Sequence, residues 1–131
     1  MRRRVAEAPV GALATIDGDG RPHLVPVCFA SLPDGRIVSA VDHKPKTTTE
    51  LRRLEHVRAN PAVSLLVHHY EDDWDALWWV RVDGTAEVVD PVSDALVAAL
   101  AAKYAAYAER PPAGPGLVVT VQHWRGWSAQ P

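Results

Sequence analysis

Two apolar runs near the start of the chain, GALATID (Gly11–Asp17) and PHLVPVCFA (Pro22–Ala30), flank Gly18-Asp19-Gly20, and this junction constrains the fold most. Glycine-rich turns supply the positive φ angles that match the twist of paired strands, so the segment reads as an antiparallel hairpin. Pro22 and Pro26 have no backbone N–H, which predicts a strand at a sheet edge or one bent around a bulge. Leu32-Pro33-Asp34-Gly35 is a turn, and Arg36–Val41 (RIVSAV) is a third strand. The first third of the chain is a meander, an arrangement suited to barrels.

The hydrophobic period then changes. Thr47-Thr48-Thr49-Glu50 fits a capping box, with Thr47 at the N-cap and Glu50 reaching back. Leu51, Leu54 and Val57 follow as one apolar stripe on a helix that Asn60-Pro61 ends. Ala62–His69 reads as an apolar strand, Glu71–Asp75 as an acidic loop, and Leu77–Val89 as a long strand region with a bulge or bend at Gly84. Asp90-Pro91 offers an N-cap and first helical position for a helix striped by Leu96, Leu100, Tyr104 and Tyr107. After the Pro111–Gly116 loop, Leu117–Gln122 is the last strand. A short basic helix over Arg2–Ala8 precedes all of this. The expectation is one domain, residues 1–131, mainly β within the α+β class: a six-stranded antiparallel barrel with two or three peripheral helices. Strands and helices do not alternate as a dinucleotide-binding domain requires.

Bulk properties narrow the function classes. A net charge of −2 argues against a general nucleic-acid binder. No apolar run reaches membrane-spanning length, and the N-terminus lacks the apolar core of a signal peptide. The single cysteine, Cys28, cannot form an internal disulfide and fits a reducing cytosol; its expected role is a small buried hydrophobe. Abundant alanine, arginine, valine and proline point to a GC-rich, actinobacterial type of genome.

The chemistry concentrates in Ser39–Pro61, SAVDHKPKTTTELRRLEHVRANP. A strand leads into a turn with Lys44 and Lys46, then into a helix start at Thr47. Unpaired N-terminal amides carry partial positive charge, and two ammonium groups and three hydroxyls beside them make an anion cradle suited to phosphate. A solvated basic turn before an ordinary helix cap accounts for the same residues. No glycine-rich P-loop or dinucleotide fingerprint is present.

The order of strand, Lys-rich turn, "LRRLxxxxxNPxVSLLV" helix ending and "WWVRVDGTAEVV" resembles the pyridoxamine-phosphate-oxidase-like split barrels, the FMN-binding split-barrel type. It is most similar to their small F420-linked branch, found mainly in actinobacteria. The resemblance implies a cytoplasmic homodimer with cofactor at the subunit interface and a small-molecule substrate. It implies an oxidoreductase that moves a hydride between coenzyme F420, a deazaflavin, and an organic substrate. The alternatives are an FMN-dependent enzyme of the same fold, or a non-catalytic carrier of flavin, deazaflavin or haem. Carried over by position, it implies cofactor phosphate near Lys44, Lys46 and Thr47, and backbone contacts to the ring from Ser39, Ala40 and Val41. Pro26 and Val27 would lie beneath the ring, and Trp78, Trp79 and Arg81 would close the site from the partner. Flavin-using relatives more often carry an arginine and a lysine on the preceding strand, where this chain has Asp42-His43-Lys44-Pro45 at the turn. Arg52, Arg53 and Arg2–Arg4 are candidates for the polyglutamate tail of F420; a solvated helix face is the alternative for Arg52 and Arg53, and a frayed terminus is the favoured reading of Arg2–Arg4.

Six histidines invite a metal reading, but none shows H-x-x-x-H spacing, and one cysteine cannot build a zinc site. Trp78 and Trp79 are adjacent on a strand and must face opposite ways, so one fills the barrel while the other lines a groove. No side-chain acid or base stands out; water, Tyr70 or a histidine are the proton donors on offer.

Overall fold

The computed structural model describes residues 1–41 and 48–130, with side chains at 1–41 and 52–130. The expected hairpin forms as β1 (Gly11–Ile16) and β2 (Pro22–Val27). Its turn is closed by the Asp17 carboxylate, whose Oδ1 accepts from the amides of Asp19 and Arg21 at 2.9 Å each, while Gly20 takes φ +82°. The remaining strands are β3 (Ala30–Ser31), β4 (Ile37–Ala40), β5 (Ala62–His69), β6 (Trp78–Val89) and β7 (Gly116–Ser128). The helices are α1 (Arg2–Glu7), α2 (Thr48–Ala59), α3 (Asp94–Lys103) and α4 (Ala105–Glu109).

Among the described residues seven strands replace the expected six, because PHLVPVCFA divides at Cys28–Phe29 into β2 and β3. The sheet order explains the division. Strands run β2-β1-β5-β6-β7-β4-β3, every neighbouring pair antiparallel. β2 and β3 therefore occupy opposite edges of one sheet, yet only two residues join them. The sheet must curl until its edges approach, leaving a seam that Cys28 and Phe29 cross. Chain that crosses between edges cannot pair with either, so the ladder stops there.

Alternation places Leu13, Val63, Leu65, Val67, Val80 and Val82 inside the barrel. α2 adds Leu54 and Val57 to the same core, and Phe29 and Val5 are fully buried in it. β4 and the start of β7 are buried on both faces. Ile37, Leu117 and Val119 point into the barrel, whereas Val38, Ala40 and Val118 meet Leu96, Leu100 and Tyr107 of α3 and α4. Two-sided burial is why LVV reads as an unbroken apolar run rather than an alternating one.

Three helix and strand boundaries differ from expectation. α3 starts at Asp94 with Ser93 as N-cap instead of at Asp90-Pro91, because the preceding turn brings the Val92 N–H onto the Gly114 carbonyl at 3.0 Å and buries its side chain. The expected single stripe breaks at Tyr104, which is extended (φ −118°, ψ 118°) and separates α3 from α4. β7 continues to Ser128, six residues past Gln122, since β6 pairs with it from Trp78↔Ser128 to Val89↔Gly116. The expected irregularity at Gly84 is a register shift between Asp83 and Gly84. α1 is anchored and not frayed: Val5 is in the core, Arg2 lies 5.2 Å from the Trp124 ring and Arg4 4.8 Å from that of Trp78. No helix of the described residues is long and apolar enough to cross a membrane.

Candidate functional site

The seam gathers two of the predicted segments. Pro26 and Val27 end β2, and Ser39 and Ala40 end β4 before Val41. The Ser39 hydroxyl donates to the Cys28 carbonyl at 2.8 Å, fastening the two segments together. The side chains of Val27, Ala40 and Val41 are buried, so a ligand here meets backbone and the exposed Pro26 ring. β3 pairs only with Ile37 and Val38, whereas β7 covers the other side of β4 as far as Ala40. Among the described residues, the outward edge of β4 past Val38 thus has no partner strand. The Val41 N–H is taken by the Pro115 carbonyl at 3.0 Å, so the backbone group that faces outward here is that of Ala40, and a polar edge beside an apolar floor fits a flat ring with polar groups along its rim. Lys44, Lys46 and Thr47, the predicted phosphate cradle, lie outside the described residues. Arg53 is half-buried and Arg52 exposed, early in α2.

Sequence reasoning missed the residues that hold the seam. The Tyr104 hydroxyl accepts from the Phe29 N–H at 3.0 Å and can donate to the carbonyls of Pro9 (2.9 Å) and Phe29 (3.0 Å). Lys103 donates to the Phe29 carbonyl at 2.7 Å, and its Nζ lies 3.8 Å from the Phe29 ring centroid. These side chains satisfy the backbone groups that the crossing takes out of the ladder. Burial pulls the Lys103 ammonium down to about 8, with the nearby Cys28 thiol acting the other way. Burial also raises Tyr104. Cys28 is exposed, contrary to expectation, because it sits in the crossing while its neighbours Val27 and Phe29 take the inward positions.

Trp78, Trp79 and Arg81 lie elsewhere. They start β6, whereas Ser39 and Ala40 register through Leu117 and Gly116 of β7 with Val88 and Val89 at its other end. The two groups are separated by roughly 30 Å along the strand, at about 3.3 Å per residue. As predicted, the adjacent indoles diverge. Trp78 packs against the barrel core, with His69 stacked on it at 6.3 Å, while Trp79 stands directly between His68 of β5 and Trp127 of β7 in the sheet register. A cleft of about 470 Å³ opens here. It is lined by His68, His69 and Tyr70 from β5 and the residue after it, by Leu77, Trp78 and Trp79, and by Trp127. A smaller cleft of about 360 Å³, reaching Arg4 and Met1, shares Trp79 and Trp127 with it. Arg81 is exposed and forked onto Asp83 at 2.9 and 3.1 Å. Burial pushes the Asp83 carboxyl up, but the hydrogen bonds from Ser64 and Arg81 outweigh it and hold the group low.

A second polar contact holds α2 against the hairpin. His56 meets the buried Thr15 hydroxyl at 2.9 Å and lies 4.4 Å, centroid to centroid, from His23, which pairs with Asp17 at 2.8 Å. The bonds to His23 and to the turn amides hold Asp17 down at about 2. Among the described residues, no three histidine, cysteine or carboxylate side chains converge as metal ligands.

Solved structures share this architecture. A conserved hypothetical protein of Mycobacterium tuberculosis superposes with a TM-score of 0.76 at 24% identity, over 98% of this chain and 82% of that one. The heme storage protein HutZ of Vibrio cholerae gives 0.69 at 18% identity, over 95% and 88% of the two chains. An FAD-binding protein of Mesorhizobium loti gives 0.68 at 21%, over 95% and 87%. No curated protein sequence matches the chain. The family model for pyridoxamine 5'-phosphate oxidase matches residues 1–128, so this chain, with its curled sheet and seam, belongs to that family.

Proposed function

We propose that the protein is a homodimeric, cytoplasmic oxidoreductase that holds a phosphate-bearing flavin-type cofactor between subunits, with F420 preferred over FMN. One observation carries the reading. The open β4 edge at Ala40 and the indoles at Trp78–Trp79 lie at opposite ends of the long β6–β7 pair, so a site that uses both needs two chains. Two-fold symmetry then yields two equivalent sites. The Ser39–Val41 backbone would hold the ring rim over Pro26 and Val27, Lys44, Lys46 and Thr47 the phosphate, and Arg53 acidic groups beyond it. When bound, such a cofactor supplies a hydride, while the chain contributes position and shielding. The FAD-binding protein of similar fold supports the cofactor class.

Titrating the purified protein with F420 and with FMN tests the reading. Micromolar binding of F420 is expected, and consumption of reduced F420 with a panel of unsaturated substrates separates an enzyme from a carrier. Micromolar FMN binding with none for F420 overturns the preference.

A haem carrier is the second reading. His68 has no hydrogen-bond partner among the described residues and stands in an aromatic cleft, as an axial ligand would, and HutZ shares the fold. A Soret band in the purified protein decides for it.

A further inference from the structure

His68, Trp79 and Trp127 stand in one row across β5, β6 and β7, and directly opposed residues of paired strands project from the same face of the sheet. Neighbouring strands lie about 4.8 Å apart, so the row is a continuous aromatic strip three side chains wide. Trp127 is 49% exposed, a high value for an indole, so about half of it is left open by the described residues. The neighbouring His69 is already engaged, bound to Glu71 at 3.1 Å and stacked on Trp78. His68 is not: a neutral imidazole always carries one N–H, and among the described residues that of His68 has no acceptor. Among the described residues, no lysine, arginine or carboxylate lines the larger cleft, and Arg4 lies in the adjoining one.

We propose that this cleft is a binding site for a flat, uncharged, conjugated molecule bearing a carbonyl oxygen, with Trp79 and Trp127 stacking its rings and His68 donating to that oxygen. Each attribute follows from the lining. Indole faces select flat rings, since stacking needs parallel π surfaces. With no charged side chain among the described residues that line it, the larger cleft selects against an ionised ligand, whose desolvation its lining would not compensate. The unspent N–H selects an acceptor. A cleft of about 470 Å³ takes a molecule of two or three fused rings. Calling this molecule the electron acceptor rests on the function proposed above; the binding itself does not.

The test follows tryptophan emission of the cofactor-free protein during titration with 9-fluorenone, which is flat, neutral and carries one carbonyl. Saturable quenching is expected, with fluorene, which lacks the oxygen, bound about threefold to tenfold more weakly. The anionic 9-fluorenone-2-carboxylate should also bind more weakly. His68→Phe keeps a ring but removes the N–H, so it should reduce fluorenone to the affinity of fluorene. His69→Phe should leave that difference intact, and Trp127→Ala should weaken both ligands. Absence of saturable quenching, equal affinity for fluorenone and fluorene, or an unchanged preference in His68→Phe overturns the proposal. Repeating the titration with F420 or FMN bound gives a further arm: retained fluorenone binding supports a separate acceptor seat, and displacement assigns the cleft to the cofactor ring and overturns it. Failure of both cofactors to bind sinks the proposed function, while the cofactor-free titration still decides the cleft.

Discussion

Asp17 illustrates how one carboxylate serves two structures. Its Oδ1 closes the hairpin turn and its Oδ2 holds His23, which rests on His56 of α2. Because its folded pKa lies near 2, below the usual carboxylate value, the stability it contributes is present above about pH 4 and is lost as pH falls toward 2. Asp17→Asn retains an oxygen for the turn amides but loses the charge and puts an NH2 where Oδ2 met His23. Its melting temperature should fall below that of the wild type at neutral pH, with the gap closing between pH 4 and 2. Lys103 carries the opposite sign. Its folded pKa of about 8 lies below the unfolded value, so the folded state binds fewer protons between pH 8 and 10.5 and gains stability as pH rises through that window. Lys103→Met should abolish that gain in a pH series of melting curves. Neither residue stood out in the sequence. Asp17 read as the last residue of a strand and Lys103 drew no reading, because their partners lie on segments that only the folded chain brings near.

The crossing from β2 to β3 depends on elements distant in sequence. Tyr104→Phe would leave the Phe29 N–H without its acceptor, a loss of about 1–3 kcal/mol measurable by urea unfolding. Gly84→Ala would force a Cβ into the Thr120 carbonyl at the β6–β7 register shift, with a similar or larger loss of about 2–3 kcal/mol in the same assay. Local pattern revealed the second feature and not the first. A glycine inside a β run marks an irregularity wherever the strand ends up, so Gly84 was legible. The break at Cys28–Phe29 was not, since PHLVPVCFA is uniformly β-prone and only the edge-to-edge topology divides it. Tyr104 was hidden for the same reason: at helical spacing from Leu100 it reads as core, and its ring does pack there, but its hydroxyl reaches another segment. The row of His68, Trp79 and Trp127 needed register, which no single strand carries.

For the molecule as a whole, the proposed pairing predicts a sedimenting mass near twice 14.3 kDa. A stable monomer that binds cofactor would count against a site shared between subunits. How the chain associates also follows from its first hairpin. β2 and β3 end the sheet, and such termini ordinarily recruit strands from other molecules into growing ribbons. β3 offers only two residues to a newcomer, and β2 lacks amide protons at Pro22 and Pro26. Leu24, 70% exposed on β2, can therefore stick to a surface but cannot template a fibre. Concentrated solutions of this protein should form closed assemblies through their faces and stay free of thioflavin-positive aggregates.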